Sequence, residues 1–281
     1  GKLDDIAVYT RALTAEEIAA HYRASGLTPP RPVPPPKTAP VQAIRPCAPA
    51  DLERYAAAIR QSQPLAWWTL HNAEQRQVPD ASGHGCQAEL EEGAEARRPD
   101  SNAANFAGGR LKAVLAGLPR DYAVELWIWN ELPVTARPVT GYFFSRGEDG
   151  AAEAPGEHVG IGGTSTATGR LIVFNGNRGN ELLAGTTLLP LRSWNHVVLV
   201  RQGDQVRVYL NGAAEPDIEG RQTPTFPESC GQIFVGARND RFAPFQGRID
   251  QVAIYDRPLR PDEVAAHFAV SGITGSGDES E

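Results

Sequence analysis

Residues 65–255 contain a succession of short segments rich in β-branched and aromatic residues, separated by turns that contain glycine or asparagine. The clearest segments are AVELWIW, YFFS, HVGIG, RLIVFNG, WNHVVLV, VRVYLNG and QIFVGA. No segment of helical period lies between them, which excludes a parallel α/β sheet and predicts an antiparallel β-sandwich. The best local signal is NHVVLVRQGDQVRVYLNG, which predicts two strands around a turn at Gly203 and a further tight turn at Asn211-Gly212.

The first 26 residues recur near the end of the chain, where residues 247–272 match them at a constant offset of 246 positions. Each copy predicts a strand, a turn, a short amphipathic helix and a glycine stop. Thr14 and Glu17 predict a capping box in the first copy, and Pro261 predicts the first helical position in the second. The offset is too long for a solenoid unit and indicates two domains of one type. Identical pairs include Tyr9 and Tyr255, Arg11 and Arg257, Glu17 and Glu263, and His21 and His267.

A proline-rich stretch separates the copies, with nine prolines in residues 28–49. We predict that this stretch is a semi-rigid polyproline II linker; the alternative is a ligand for an SH3- or WW-type reader, since PxxP patterns occur. Residues 1–27 are then the end of a truncated preceding domain, residues 50–273 a complete domain, and residues 274–281 an acidic flexible tail. Because the chain starts at Gly1 and contains no methionine, we interpret it as a fragment.

The predicted strand of the first copy, residues 3–9, has no sheet of its own in this layout. An unpaired strand edge tends to recruit another edge. We therefore predict that residues 1–27 are mobile or bind a neighbouring surface rather than forming a domain.

Charge and hydropathy exclude two classes of partner. The net charge is −7 and no basic cluster with interleaved aromatic residues occurs, so we expect no nucleic-acid partner. No run of 18 apolar residues occurs, so we expect no membrane insertion. Hydrophobic residues form 41% of the chain, which is sufficient for a packed core.

Four segments resemble, in the right order, those of bacterial laminin-G-like, concanavalin A-like jelly-roll domains. They are LAWWTLHNAEQRQVPDASGHGCQAEL, YAVELWIW, WNHVVLVRQGDQVRVYLNG and GRIDQVAIYDRPL. The resemblance covers residues 55–273, and residues 1–27 resemble the end of a preceding copy. It implies an all-β, antiparallel jelly-roll β-sandwich with short helices flanking the sandwich at each end. It also implies an extracytoplasmic setting, whether secreted, periplasmic or at the cell surface.

This fold family includes lectins, adhesion modules, glycan-cleaving enzymes and structural spacers. The glycan-cleaving relatives carry Glu-x-Asp-x-x-Glu or a close variant, which this sequence lacks, and it also lacks a nucleophile elbow and a zinc-ligand spacing. We therefore expect no enzyme but a non-catalytic carbohydrate-binding, lectin-like module of a larger secreted or surface bacterial protein. The alternative is a structural spacer or a protein–protein adhesion module with no glycan ligand.

The strand AVELWIW carries the candidate carbohydrate-binding residues Glu125, Trp127 and Trp129. Its aliphatic residues alternate with these three, which places Glu125 and the two tryptophans on one face of the strand. Tryptophan rings stack on sugar rings, and a carboxylate accepts sugar hydroxyls, so a polysaccharide or other glycan is the expected partner. The alternative is a central strand covered on both sides, with Glu125 paired to a buried partner.

A structural Ca²⁺ site is the one cofactor prediction. Asp80 lies in a glycine-containing turn, and Asp250 supplies a second carboxylate if the first and last strands are neighbours. Calcium takes six to eight oxygen ligands, and some relatives bind it in comparable loops. His84 stands where the family often has asparagine, and the histidine side chain is a poor calcium ligand because calcium prefers oxygen. The alternative is that Asp80 caps its own turn by hydrogen bonds.

Three cysteines occur, an odd number, so at least one is unpaired within this chain. Cys47 lies in the linker. Cys86 and Cys230 form a disulfide if their strands are neighbours, and a free thiol is the equally weighted alternative.

Overall fold

A computed structural model of the protein describes residues 7–24, 37–38, 51–70, 76–95 and 103–273. The chain divides into two compact units, Gly1–Pro35 and Pro36–Glu281. The predicted acidic tail and Cys47 lie outside the described residues, as does the predicted linker apart from its residues 37–38.

In the first unit, helix α1 (Ala15–Ala24) follows residues 7–14, which are in neither helix nor strand. The predicted capping box is confirmed: the Glu17 N–H donates to Thr14 Oγ1 over 3.2 Å, and the Thr14 N–H donates to Glu17 Oε2 over 2.9 Å. Arg11 binds the same carboxylate with both terminal nitrogens. The predicted strand lies partly outside the described residues, and residues 7–9 are not in a strand.

The described part of the second unit is mostly β-strand. Its helices are α2 (Leu52–Gln61), α3 (Gly176–Gly179) and α4 (Pro261–Val270). Its strands are β1 (Lys37–Thr38), β2 (Ala66–Trp68), β3 (Gln77–Val78), β4 (Ala88–Leu90), β5 (Ala94–Glu95), β6 (Ala104–Ala107), β7 (Leu111–Val114), β8 (Tyr122–Asn130), β9 (Val139–Arg146), β10 (Glu157–Gly162), β11 (Arg170–Phe174), β12 (Leu182–Leu188), β13 (Trp194–Gln202), β14 (Gln205–Leu210), β15 (Ile218–Arg221), β16 (Gln232–Val235) and β17 (Gln246–Tyr255).

The strands form two sheets that pack face to face. The nine-stranded sheet has the order β1-β12-β11-β10-β9-β16-β7-β4-β3, and the eight-stranded sheet has the order β15-β14-β13-β8-β17-β6-β5, with β2 also paired to β17. The strand pairs are antiparallel except β1 with β12. The predicted antiparallel jelly-roll sandwich is confirmed.

Strand β8 lies at the centre of the eight-stranded sheet, between β13 and β17. Val124, Leu126 and Ile128 face the main core between the two sheets, as the alternation of the sequence predicts. Trp127 and Trp129 face away from that core into a second apolar cluster. Adjacent residues of β2 divide in the same way, with Trp68 in the first cluster and Trp67 in the second.

The predicted hairpin connects β13 and β14. Gln202 pairs with Gln205, and Gly203 takes the left-handed conformation (φ 56°) that its tight turn requires. The next turn is also confirmed: Asn211 has φ 52°, Gly212 has φ 67°, and the Ala213 N–H donates to the Leu210 carbonyl over 3.1 Å.

Helices α2 and α4 pack on each other and cover the outer face of the eight-stranded sheet. Helix α2 begins at Asp51, whose carboxylate accepts from the Arg54 N–H, and α4 begins with Pro261 at its first position, as predicted. Tyr55 of α2 and Val264 of α4 are fully buried in the second cluster. The predicted helices at the ends of the sandwich therefore also cover one of its sheets.

Candidate functional site

The three predicted carbohydrate-binding residues lie inside the domain. Glu125 and Trp127 are fully buried, and Trp129 is almost fully buried, because α2 and α4 cover this face of β8. The Trp127 ring stacks on Phe268 of α4, with ring centroids 5.9 Å apart. These three side chains therefore form no exposed sugar-binding platform, and that expectation is corrected. The arrangement is the alternative one, a central strand covered on both sides.

Glu125 is the centre of a buried polar cluster to which four elements contribute. Its Oε1 accepts from the Tyr55 hydroxyl over 2.6 Å and from Nε2 of His196 over 2.8 Å. Its Oε2 accepts from the Tyr255 hydroxyl over 3.0 Å and from Nδ1 of His267 over 2.8 Å. Four donors satisfy both oxygens, so the carboxylate is buried without losing hydrogen bonds.

The charges of this cluster follow from its geometry. Burial alone would raise the pKa of Glu125, but the His267 charge and the hydrogen bonds from both imidazoles outweigh burial and hold that pKa well below its ordinary value. Burial alone would lower the pKa of His267, but the Glu125 carboxylate outweighs burial and raises it. Glu125 is thus an anion at neutral pH, and it anchors both helices to the sheet.

The predicted calcium ligands do not lie in a calcium-like donor set. Asp80 accepts from the Trp67 and Cys86 N–H groups and from the N–H and hydroxyl of Ser82 over 2.7 to 2.9 Å, so its oxygens already cap the turn. Asp250 is buried in β17 opposite Trp127. Within the described ranges, no group of three or more His, Cys, Asp or Glu side chains could hold a metal ion. Asp80 thus does not fit a calcium ligand in this arrangement, and calcium binding stays a prediction.

Both described cysteines are free thiols. Cys86 is half-buried in the turn before β4, and Cys230 is buried before β16. The free-thiol alternative is therefore the one that the structure contains.

The outer face of the nine-stranded sheet carries a different cluster, which we call the aromatic–arginine patch: Tyr142, Phe174, Arg238 and Phe242. The Arg238 guanidinium lies over three rings, 4.7 Å from the centroid of Phe242, 5.6 Å from that of Tyr142 and 5.9 Å from that of Phe174. Arg238 and Tyr142 are buried, whereas the Phe242 side chain is 49% exposed. Phe242 thus presents a ring to solvent on a buried cationic support.

The loop that carries Phe242, residues 238–244, is held in place by polar contacts. Asp240 binds Arg238 through both carboxylate oxygens, at 2.7 and 2.6 Å, and also accepts the Phe242 N–H over 3.0 Å. Arg241 has a left-handed φ of 65° and donates to Glu91 over 2.7 Å. These contacts hold the backbone of the loop at Phe242 in place without a ligand.

Further polar groups lie on the same loop or bind Arg238. Asn177 is exposed, and its Oδ1 accepts from Arg238 over 3.3 Å. Asp240 is half-buried and Arg241 is exposed. Sequence reasoning missed this site; its only local signal is one phenylalanine in the polar loop RNDRFAP.

A family model described as the concanavalin A-like lectin/glucanases superfamily matches residues 104–265. The structure is similar to domain 4 of AbnA, a GH43 extracellular arabinanase from Geobacillus stearothermophilus in complex with arabinotriose (TM-score 0.55, 20% identity, 73% of this chain and 98% of that chain). It is also similar to Trypanosoma rangeli sialidase in complex with sialic acid (TM-score 0.54, 19% identity, 72% and 32%). A third similar structure is the botulinum neurotoxin serotype C1 binding domain (TM-score 0.53, 12% identity, 76% and 53%). At these identities, the likeness shows the fold.

A curated relative is the human adhesion G-protein coupled receptor D1, with 28% identity over 81 residues. The match spans 28% of this chain and 9% of the receptor. Among the described residues, no helix is both long and apolar enough to cross a membrane.

Proposed function

Since the chain belongs to the concanavalin A-like lectin/glucanase superfamily, we propose that it is a carbohydrate-binding, lectin-like module, and that the aromatic–arginine patch is its glycan-binding site. The module binds polysaccharide without cleaving glycosidic bonds, as part of a larger secreted or surface protein. The observation that carries the proposal is the exposed Phe242 ring on its Arg238 support.

The chemistry of the patch suits a sugar. The apolar face of a sugar ring stacks on an aromatic ring, and its hydroxyls need donors and acceptors around that ring. Asp240, two residues before Phe242, and Asn177, which binds Arg238, supply acceptors, and Arg241 supplies a donor. An exposed aromatic residue with convergent polar groups is a typical binding anchor.

Preorganisation favours binding by the loop. The Arg238–Asp240 pair and the Arg241–Glu91 pair hold the backbone before Phe242, and the Ala243 carbonyl after it accepts from the Tyr142 N–H over 2.9 Å. Ordering a loop on binding costs free energy, and a loop that is already ordered avoids that cost.

The similar structures support the proposal. The arabinanase domain is described in complex with arabinotriose and the sialidase in complex with sialic acid. Since domain 4 of the arabinanase aligns over nearly its whole length, an accessory domain of an extracellular enzyme is one setting in which such a fold contacts sugar.

The carboxylate of the patch is poorly suited to glycosidic cleavage. A glycosidase needs a general acid whose pKa is raised. Burial would raise the pKa of Asp240, but hydrogen bonds from Arg238 and from the Phe242 N–H outweigh burial and lower it. Asp240 is therefore ionised at neutral pH, which supports binding without cleavage.

A structural spacer or protein-adhesion module with no glycan ligand is the second candidate function. Val114 of β7 is 64% exposed next to Lys112, and the two residues line a shallow cavity of about 310 Å³. Exposed apolar side chains of this kind can form part of a contact with a protein partner.

The test is a glycan array and an insoluble-polysaccharide depletion assay with the full chain, Phe242→Ala and Leu191→Ala. Leu191 is similarly exposed, at 42%, and lies outside the patch, so it is the matched control. We expect Phe242→Ala to weaken binding at least about 30-fold, because an anchor residue contributes about 2 kcal/mol or more. We expect Leu191→Ala to bind like the parent chain.

Two outcomes of this assay contradict the proposal. If the folded parent chain binds no glycan, the protein-adhesion function is favoured. If Phe242→Ala binds as tightly as the parent, the site lies elsewhere. Parallel wells with chelator test the calcium prediction, since a calcium-dependent site loses its binding there.

A further inference from the structure

Three polar side chains outside the patch form a continuous hydrogen-bonded line. Ser62 Oγ lies 2.8 Å from Nε2 of His267, and Nδ1 of the same ring lies 2.8 Å from Oε2 of Glu125. The three residues come from α4, from β8 and from the end of α2. A hydroxyl, an imidazole and a carboxylate in this order constitute the geometry of a serine nucleophile with its base and orienting acid.

The hydrogen-bond partners determine the tautomer of His267. An ionised carboxylate only accepts hydrogen bonds, so Nδ1 of His267 donates to Glu125. In the neutral ring, Nε2 therefore carries the lone pair and accepts from the Ser62 hydroxyl. This is the tautomer in which the imidazole acts as a general base toward the hydroxyl.

The hydroxyl lies at a cavity of about 330 Å³ between α2 and α4. Ser62 and His267 both line the cavity, together with Gln61 and Arg260. Ser62 is half-buried, whereas Glu125 is fully buried behind the imidazole. A small molecule in the cavity therefore meets Ser62 and His267 but not Glu125.

The backbone holds Ser62 in a fixed position. Its N–H donates to the Ala58 carbonyl over 3.1 Å, and its own carbonyl accepts from Arg257 over 3.1 Å. The next residue, Gln63, has a left-handed φ of 53°, so the chain leaves the helical conformation directly after Ser62. A fixed nucleophile loses little entropy when it attacks.

We propose that Ser62 and His267 form a catalytic pair that hydrolyses short-chain carboxylic esters, with Glu125 as the positioning residue. Ser62 Oγ attacks the carbonyl carbon while its proton passes to Nε2 of His267, and the imidazolium then returns the proton to the departing alcohol. Water attacks the resulting acyl-serine by the same route and releases the carboxylic acid. The side chains of Gln61 and Arg260 in the cavity wall are the candidate donors for the oxyanion.

This site is independent of the proposed glycan-binding function, because the cavity and the patch lie on the outer faces of different sheets. The competing explanation is that Ser62 only caps the buried imidazole. The two differ in reactivity: a hydroxyl without a functioning base reacts no faster than an ordinary serine. Ser82 is the internal control, since its hydroxyl lies 3.2 Å from Nδ1 of the exposed His84 and also binds Asp80.

The test is labelling of the full chain with a fluorophosphonate probe, site identification by mass spectrometry, and p-nitrophenyl acetate hydrolysis. We expect the adduct at Ser62 and not at Ser82. Ser62→Ala loses adduct and hydrolysis, and Glu125→Gln slows both by at least about 100-fold. Circular dichroism of each variant confirms that it is folded.

The pH profile separates a positioning role of Glu125 from a structural one. Labelling of the parent chain rises with pH, with a midpoint above the ordinary histidine value of about 6.5, because Glu125 raises the pKa of His267. In Glu125→Gln, that midpoint moves down. No adduct at Ser62 in the folded parent chain, or hydrolysis that persists in Ser62→Ala, overturns the proposal.

Discussion

The two outer faces of the sandwich differ in what covers them. On the eight-stranded sheet, α2 and α4 bury Glu125 and the tryptophans of β8. On the nine-stranded sheet, Arg238 of loop 238–244 lies over Tyr142 and Phe174, and the same loop leaves the Phe242 ring exposed. Both faces combine aromatic rings with charged groups, but among the described residues the Phe242 ring on the second face is far more exposed than the partly buried Phe268 on the first.

This difference teaches that residue chemistry alone does not identify a ligand site in this fold. A glutamate and two tryptophans on one side of β8 could bind a sugar if they were exposed. The same residues could equally pack against covering helices, as they do here. Exposure distinguishes the two faces, and exposure depends on distant elements. Substitutions on the helix-covered face should therefore reduce stability, and substitutions in the patch should reduce binding.

The largest expected effect is the loss of the buried carboxylate. Glu125→Ala removes the acceptor of four buried donors and should lower the free energy of unfolding by about 3–5 kcal/mol. Asp240→Ala should lower it less, by about 1.5–3 kcal/mol, because Arg238 is buried but the Asp240 carboxylate is partly exposed to water. Urea denaturation monitored by tryptophan fluorescence gives both values. Equal losses in the two variants would remove the contrast between the faces.

The second prediction compares the pH response of a histidine from each face. Burial lowers the pKa of His158, beneath the patch, to about 3. Between pH 6.5 and 3 the unfolded chain binds a proton that the folded chain does not, so this histidine reduces stability as pH falls. The reduction is about 1.4 kcal/mol per pH unit, or about 3 kcal/mol at pH 4.5.

His267 should respond in the opposite direction. Its pKa is raised in the folded state, so its stabilisation is complete below about pH 6.5 and is lost as pH rises through the folded value. NMR titration of the imidazole protons measures both pKa values. In His158→Gln, the free energy of unfolding should fall less steeply than in the parent chain as pH falls below 6.5. A His158 pKa near 6.5 in the folded protein contradicts the predicted lowering. A His267 pKa below 6.5 contradicts the predicted raising.

The smallest effect concerns the repeated segment. At the starts of α1 and α4, an arginine before the helix pairs with a glutamate of its first turn at the same spacing, Arg11–Glu17 and Arg257–Glu263. Val264 of α4 is buried, however, whereas Ile18 of α1 is 56% exposed. Val264→Ala should cost about 2 kcal/mol of unfolding free energy. Ile18→Ala should cost less than about 0.5 kcal/mol. Thermal unfolding of the two variants measures the difference, and a large loss in Ile18→Ala would show that this residue is buried in solution.

Local patterns allowed much of the fold to be predicted from the sequence. The alternation in β8 identified its core-facing side, and Asn211-Gly212 identified its turn. The capping box of Thr14 and Glu17 formed as expected, because both partners lie within one turn. Each of these features depends on residues that are close along the chain.

The candidate site depended on long-range contacts that no local pattern encodes. Glu125 is buried because Tyr55 and His267, far away in the sequence, reach it from two helices. Phe242 is distinguished by the Arg238 guanidinium beside its ring, and that guanidinium also lies over Tyr142 and Phe174 from distant strands. An isolated aromatic residue in a polar loop has no periodicity that would mark it.

The central claim is that glycan binds at the aromatic–arginine patch and not on the helix-covered face. The most direct test is an NMR titration of the full chain, labelled with ¹⁵N, with the oligosaccharide that ranks first on the array. We predict that the largest amide shift changes fall at residues 238–243 and at Asn177, with little change in β8 residues 125–129. Changes concentrated in α2, α4 or β8, with the patch unaffected, would contradict the account.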